Sequence, residues 1–431
     1  MAQAPLYHFK PINLGRWIIW SAFALVLLVA PKLFTSSLAL TLLSKMGISV
    51  IICLSFNMLL GQGGMLSFGH AVYSGMGAFA AIHVLSKVSE GAWQIPVSLI
   101  PLVGGFSGWL VAALLGAVTT KRSGTIFAMI TLGVGALVYS MSLMLPEFFG
   151  GEGGISGNRV VGDPVMGITF GPQIQVYYLI ALYCFVCTAL MFAFTQTPMG
   201  RMLNAVRDNP ERVQFIGYDT QRVRYVAFMV AGLFAGIGGG LIAINDERVT
   251  AEVVSAEYSG AYLLFTFLGG AMIFFGPIIG AVLMVIASVL LSEWTKAWLL
   301  YLGVWFLLMV MYAPGGVASL ILMNVRVAVF GLWRGLWTSY LALGGAALAA
   351  LLGISVMVEM VYHIKLNVAL GPVMTYLGAS INTRSTDAWV GAVLVTLTGV
   401  AMFEMARRQF QHQWGAVQAD IEAEIRRRES H

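Results

Sequence analysis

The sequence predicts an all-α fold: a polytopic transmembrane helical bundle of about ten core spans, followed by a C-terminal two-helix extension. Three observations predict it. The 431 residues are 59% hydrophobic and 10% charged, against about 25% charged in a soluble domain, and the mean hydropathy is +0.85. Apolar runs of roughly 20 residues, the length a helix needs to cross a bilayer, fill most of the chain. Lys and Arg are distributed unequally between the two sets of loops that join those runs.

Taken in order, runs near 16–34, 39–60, 66–86, 95–118, 124–145, 175–195, 224–244, 257–275, 277–292 and 297–313 read as core spans, and runs near 337–361 and 387–405 as the extension. The first run follows Lys10 and Arg16, as a signal peptide's apolar core would. Pro31, Lys32, Leu33 and Phe34 offer no small-residue cleavage site, so it is read as a retained helix. The Gly-rich stretch 61–75 reads as a broken or re-entrant element, which membrane depth tolerates only where protein or a cavity covers it. With the N-terminus inside and the spans alternating, 16 of the 24 basic residues fall on the inner side. This places both termini in the cytoplasm and makes pI ≈ 9.1 a topology signal beside anionic lipid, not a nucleic-acid footprint.

The inner loop after the sixth run is the most informative stretch. Thr197 before Pro198 is a helix start, an N-cap oxygen followed by Pro at the first helical position. Asp208, Asn209, Pro210 and Glu211 repeat the signal, and the residue before Pro210 is biased away from α, so the first helix ends there. Gly217 closes the second. Two short amphipathic helices result, with Met202, Leu203, Val206, Val213, Phe215 and Ile216 at apolar positions. Such an element receives force from an ATPase or rests on lipid.

The 61–79 segment (GQGGMLSFGHAVYSGMGAF) brings Gln62, Ser67, His70, Tyr73 and Ser74 to an apolar depth where they need partners or water. Two readings stand: the lining of a pathway, or polar glue and small-residue packing between helices. Gly232, Gly236 and Gly240 repeat at i+4 and read as a close helix crossing. Asp246, Glu247, Arg248, Glu252 and Glu257 crowd the outer end of that span, as a docking surface or a solvated loop. Cys184 and Cys187 form a C-x-x-C pair without a second ligand pair, inside an apolar run, and read with Cys53 as buried small side chains. No Gly-Lys dipeptide occurs, so there is no phosphate-binding P-loop, and no catalytic or metal-ligand constellation stands out. A chain of this kind draws its energy from elsewhere.

Five co-linear motifs then carry a family resemblance over roughly residues 16–320. The loop 198–217 (PMGRMLNAVRDNPERVQFIG), the segment 61–79, Gly153 to Gly157 (GGISG), Phe275 to Gly280 (FGPIIG) and Pro314 to Gly316 (PGG) resemble segments of LivM-type permeases of branched-chain amino acid ABC importers. The resemblance implies a permease subunit in a bacterial inner membrane. Its implied partners are a second, H-type permease, two ATP-binding subunits carrying the ATP and Mg, and a periplasmic solute-binding protein. The chain itself holds no cofactor. In that frame Arg201, Arg207, Asp208, Asn209, Pro210, Glu211, Arg212 and Gly217 belong to the ATPase coupling loop. Val213, Gln214 and Phe215 replace the small residues usual there, which leaves the contact residues open. The implied cargo is branched-chain or related amino acids. Urea and organic or aromatic acids use the same permease type, and a secondary transporter or channel is the competing class.

The family pattern ends near the Pro-Gly-Gly motif, so the chain divides into a permease core, 1–322, and an extension, 323–431. Arg326 and Arg334, interleaved with Trp333 and Trp337, mark the inner interface. The run 336–362 has a small-residue face for packing, 365–387 is an outer loop, and Arg407 and Arg408 stop the returning span. The tail 411–431 alternates acids and bases, with Ile421 and Ile425 four apart, and reads as a surface helix.

Overall fold

The computed structural model describes residues 14–161, 169–313, 315–366 and 371–429. Lys10 and Pro314, and the side chains of Arg16, Arg334 and Arg428, lie outside what is described. The apolar runs fold as helices because a chain out of reach of water must satisfy its backbone internally. They are α1 (Leu14–Leu33), α2 (Ser37–Asn57), α3 (His70–Ser89), α4 (Ile100–Thr119), α5 (Gly124–Met144), the single turn α6 (Pro146–Phe149), α7 (Gln173–Gln196), α8 (Pro198–Asp208), α9 (Pro210–Phe215), α10 (Thr220–Asp246), α11 (Ala256–Gly269), α12 (Gly276–Trp294), α13 (Trp298–Tyr312), α14 (Gly316–Val329), α15 (Trp337–Leu366) and α16 (Thr386–Glu429). Helix starts use local oxygens: Ser36 accepts from Ala39 N, Asp219 from Gln221 N and Arg222 N, and Ser255 from Tyr258 N. Two short antiparallel ladders accompany the helices, β1 (Ile155–Ser156) with β2 (Arg248–Val249), and β3 (Val373–Tyr376) with β4 (Ala379–Asn382).

Among the described residues, nine helices are long and apolar enough to cross a membrane, or ten if α13 and α14 are one bent span. The chain is therefore a multi-pass helical membrane protein. Of the remaining expected runs, α1 is 20 residues long with Trp17–Leu33 as its apolar part, α13 reaches span length only together with α14, and α11 falls short with only 14 residues. At 1.5 Å per residue α11 is about 21 Å long, less than the ~30 Å hydrocarbon layer. The 3-10 turn Ala251–Val254 before it packs beside α3 with Ala251, Val253 and Val254 buried, and Val254 and the Val253 carbonyl occupy the space a Cβ on Gly75 would need.

The chain separates into two compact units: residues up to Ile286 with Pro314–Val317, and Ala287–Ala313 with Ala318–His431. In the first unit α3, α4 and α10 cross at backbone distance. A Cβ on Gly236 would meet the Gly104 carbonyl and Gly108 Cα, and one on Gly239 would meet the Ser74 carbonyl. The i+4 glycine spacing on α10 thus does what small-residue spacing does in lipid: it lets backbones touch. Around the crossing the fully buried Ile51, Ile52, Phe56, Tyr73, Phe79, Phe127 and Phe228 form the core.

In the second unit α16 is one continuous helix of 44 residues, about 66 Å long. The surface helix expected after Arg408 is instead its continuation. No proline interrupts residues 386–429, and Glu404 pairs with Arg407 and Arg408 at helical spacing across the expected break. Ile421 packs with Val327 and Leu336, flanked by Phe410, Trp414 and Val417. The loop 365–387 contains the β3–β4 hairpin, which composition did not signal. Its turn holds Leu377 and Gly378 at φ 49° and 83°, the positive values that a two-residue hairpin turn requires.

Candidate functional site

The loop between α7 and α10 folds as its local chemistry dictates. Thr197 accepts from Gly200 N at 3.2 Å with Pro198 opening α8, and Asn209 accepts from Arg212 N at 3.0 Å with Pro210 opening α9. Gly217 follows at φ 90°. Leu203, Val206 and Val213 are buried in the main core. Arg201, Asp208, Pro210, Glu211, Arg212 and Gly217 are exposed, and Asn209 is half-buried. Two of the apolar positions go the other way: Phe215 is 88% and Ile216 67% exposed. The element is a rigid, doubly capped bracket anchored by three aliphatic side chains, with an uncovered aromatic–aliphatic pair at its tip.

The 61–79 segment is a helix interrupted in its interior. α2 runs on through the wide π-helical turn Met58–Gln62, and the chain stays non-helical until His70 opens α3. Such single π-turns inside α-helices are rare; at the end of this one the Leu59 carbonyl accepts from both Gly63 N and Met65 N. The non-helical part and the first turn of α3 are held from outside, with Phe68 N donating to Thr131 Oγ1 and Ala71 N to Ser259 Oγ.

Of the five polar residues singled out here, Ser67, His70, Tyr73 and Ser74 are buried to 1% exposure or less, and Gln62 is half-buried. The structure brings them together with residues the sequence did not single out. His70 Nε2 lies 2.8 Å from Ser55 Oγ, and its ring stands edge-on to Phe56 and Tyr73. The Ser55 hydroxyl has already given its proton to the Ile52 carbonyl at 2.7 Å. It therefore accepts from His70, which leaves Nδ1 of the neutral ring as a bare acceptor. Nδ1 has no partner, and neither do Ser67 Oγ and Asn57 Oδ1. Buried polar atoms in native proteins are normally paired, so three orphans around one helix break mark it as the polar weak point of the core. Ser55, Asn57, Ser259 and Thr131 carry no motif and join the site only through contacts that reach up to 188 residues along the chain.

In the charged cluster at the far end of α10, Glu247 and Arg248 make structural contacts. Glu247, at φ 52°, ends the helix and accepts from Arg159 N at 2.8 Å. The Arg159 guanidinium is buried against the carbonyls of Ile244, Asn245 and Phe170, a cation at a helix C-terminus. Arg248 grips the Gly153 carbonyl. A cleft of about 670 Å³ remains, lined by Tyr139, Glu152, Asp246, Arg248, Thr250 and Glu252. Cys53, Cys184 and Cys187 are free and buried.

Comparison with known proteins adds the following. Two proteins named high-affinity branched-chain amino acid transport system permease protein LivM, from Salmonella typhimurium and Escherichia coli, are each 26% identical over 68% of this chain and 72% of their own. A probable LivM of Methanocaldococcus jannaschii is 25% identical over 63% of this chain and 90% of its own. No solved structure matches. Residues 38–314, well over half the chain and including both the broken segment and the bracket, match the family described as branched-chain amino acid transport system / permease component. The chain belongs to that family.

Proposed function

We propose that this chain is the membrane-spanning permease subunit of an ATP-driven importer of branched-chain amino acids. Its partners in this reading are a second, H-type permease, two ATP-binding subunits that carry the ATP and Mg, and a periplasmic solute-binding protein in the bacterial inner membrane. The observation that carries the reading is the α8–α9 bracket. Its buried face is locked into the helices that hold the polar break, and its tip exposes Phe215 and Ile216 to a partner. A lipid-resting helix would turn all its apolar positions to one side; this one divides them between core and exterior. The broken segment borders the route in this reading: Gln62 is half-buried, and Ser67, His70, Tyr73 and Ser74, packed inside the core, would meet cargo only when the break opens. A zwitterion with an apolar tail is met there by helix ends and neutral polar groups in place of fixed charges. Uptake of labelled leucine that requires both the ATP-binding subunits and the binding protein tests the reading. Uptake without any ATPase subunit overturns it in favour of a secondary transporter.

The orientation follows the basic residues, with both termini and the bracket cytoplasmic. The three native cysteines are buried and are replaced to give a silent background. Glu211→Cys, at an exposed position, is then expected to resist an impermeant thiol reagent in intact cells and to react in inverted vesicles. Labelling in intact cells reverses the orientation. The C-terminal extension acts as an accessory helical hairpin. Truncation after residue 325 is expected to leave a membrane-inserted protein with partial uptake; complete loss with the complex still assembled makes the extension part of the mechanism.

A further inference from the structure

We propose that Arg207 is a positioning residue that ties the bracket to the broken segment, so that movement of α8 is delivered to the backbone beneath His70. The inference rests on the ATPase-coupling reading of α8–α9 and adds the physical link that reading lacks.

Arg207 sits in the last turn of α8, and its side chain turns inward, 26% exposed. Its Nη1 donates to the Gly61 carbonyl inside the π-helical turn. Its Nε donates to Asp208 Oδ1 at 2.9 Å, which fixes the plane of the guanidinium. Its aliphatic stem covers Gly64, where φ is +64° and a Cβ would come within 2.8 Å of Arg207 Cγ. One turn earlier, Leu203 Cδ1 stands 3.1 Å from where Gly63 would carry a Cβ. Consecutive turns of one face of α8 thus grip three of the four residues 61–64.

Gly61 is also wedged on its other sides, against the Ala271 carbonyl and Asn57 Oδ1. It is the point where α2, the turn after α11 and α8 converge. The grip falls where the backbone is least able to resist. The α-ladder is broken there, the Leu59 carbonyl is shared, and Asn57 Oδ1, Ser67 Oγ and His70 Nδ1 are unpaired. A regular helix would take a push on one carbonyl as rigid-body motion. A π-turn followed by non-helical chain takes it as local rearrangement, the kind of discrete alternative packing that amplifies small shifts. A guanidinium suits this task because its planar fork is rigid and stays charged.

The test uses the full importer, purified with its ATP-binding subunits, reconstituted in proteoliposomes and driven by leucine-loaded binding protein. For Arg207→Met, which keeps the stem and loses the donor, the ratio of stimulated to unstimulated ATP hydrolysis is expected to fall at least tenfold, while the ATP-binding subunits still co-purify. The ATP-dependent change in amide hydrogen exchange over 61–69 is expected to vanish. Arg207→Lys, which restores a charged donor, is expected to recover most of both. Gly64→Ala reads the link from the other side and is expected to lower the ratio as well. Gly124→Ala imposes the same positive φ where nothing lies within 4 Å and is expected to leave it unchanged. A normal ratio and normal exchange in Arg207→Met, or a Gly64→Ala chain that behaves like Gly124→Ala, overturns the link. Replacing Phe215 and Ile216 by aspartate separates the two levels. If that pair abolishes co-purification of the ATP-binding subunits or stimulation and Arg207→Met abolishes neither, the link alone fails; if neither variant affects either readout, the coupling reading fails.

Discussion

A chain carrying Phe215→Asp and Ile216→Asp is expected to reach the membrane at normal abundance and to lose leucine uptake by at least tenfold, with the ATP-binding subunits no longer co-purifying. Both side chains are largely uncovered, so removing them takes nothing from the core. An apolar side chain fully covered by a partner contributes ~1.5–3 kcal/mol, and a buried aspartate in its place adds an unpaired charge. Two such losses at the centre of an interface exceed the ~1.4 kcal/mol that separates each tenfold in affinity. Pro210→Gly is expected to act in the same direction and more weakly. It frees the backbone at the first position of α9 while Asn209 still caps Arg212 N, so the tip is loosened without being removed. Wild-type uptake by the double-aspartate chain shows that the exposed pair is not the ATPase contact.

Gly239→Val is expected to remove folded protein almost completely, in contrast with Gly133→Ala, which is expected to leave it unchanged or slightly raised. Detergent-extracted, size-homogeneous protein and its melting temperature report both. At Gly239 the added Cβ is driven into the Ser74 carbonyl and the backbone around Ala78. Two backbones cannot yield as a side-chain tip can, so α10 must move off α3. Ordinary overpacking of a core costs about 1–3 kcal/mol; separating a three-helix crossing also forfeits the dispersion contacts that hold helices together in lipid. Gly133 on α5 has open space around its Cα, and there alanine brings only the ~1 kcal/mol better helix propensity. Wild-type stability of Gly239→Val means the α3–α10 approach is not close. A marked loss in Gly133→Ala means that face of α5 is covered by the rest of the importer.

What the sequence by itself determined is what neighbouring residues decide among themselves. Apolar runs become helices because hydrocarbon leaves their backbones no other partner. Thr197–Pro198 and Asn209–Pro210 start α8 and α9, and Gly217 follows at positive φ, because a cap is made by atoms within three residues of each other. The i+4 glycines of α10 announced a close crossing, and the glycines of 61–79 a broken helix, since each is a statement about backbone freedom. Tertiary structure decided where those elements face and what completes them. Six apolar positions in the inner loop looked alike in sequence, yet Leu203 and Val213 are buried while Phe215 and Ile216 are not, because only the packing of α8–α9 on the core defines an inside. His70 is paired by Ser55, Ala71 N by Ser259, and the Gly61 carbonyl by Arg207. None of these leaves a local trace, because small polar residues occur all along such helices and only the fold selects which ones meet. α11 likewise stops short of the expected run at Gly270, where φ is 112° and the backbone of Gly316 lies close against it. The continuity of α16 across Arg407 and Arg408 also came from structure, because a basic pair marks where a membrane ends and not where a helix must stop.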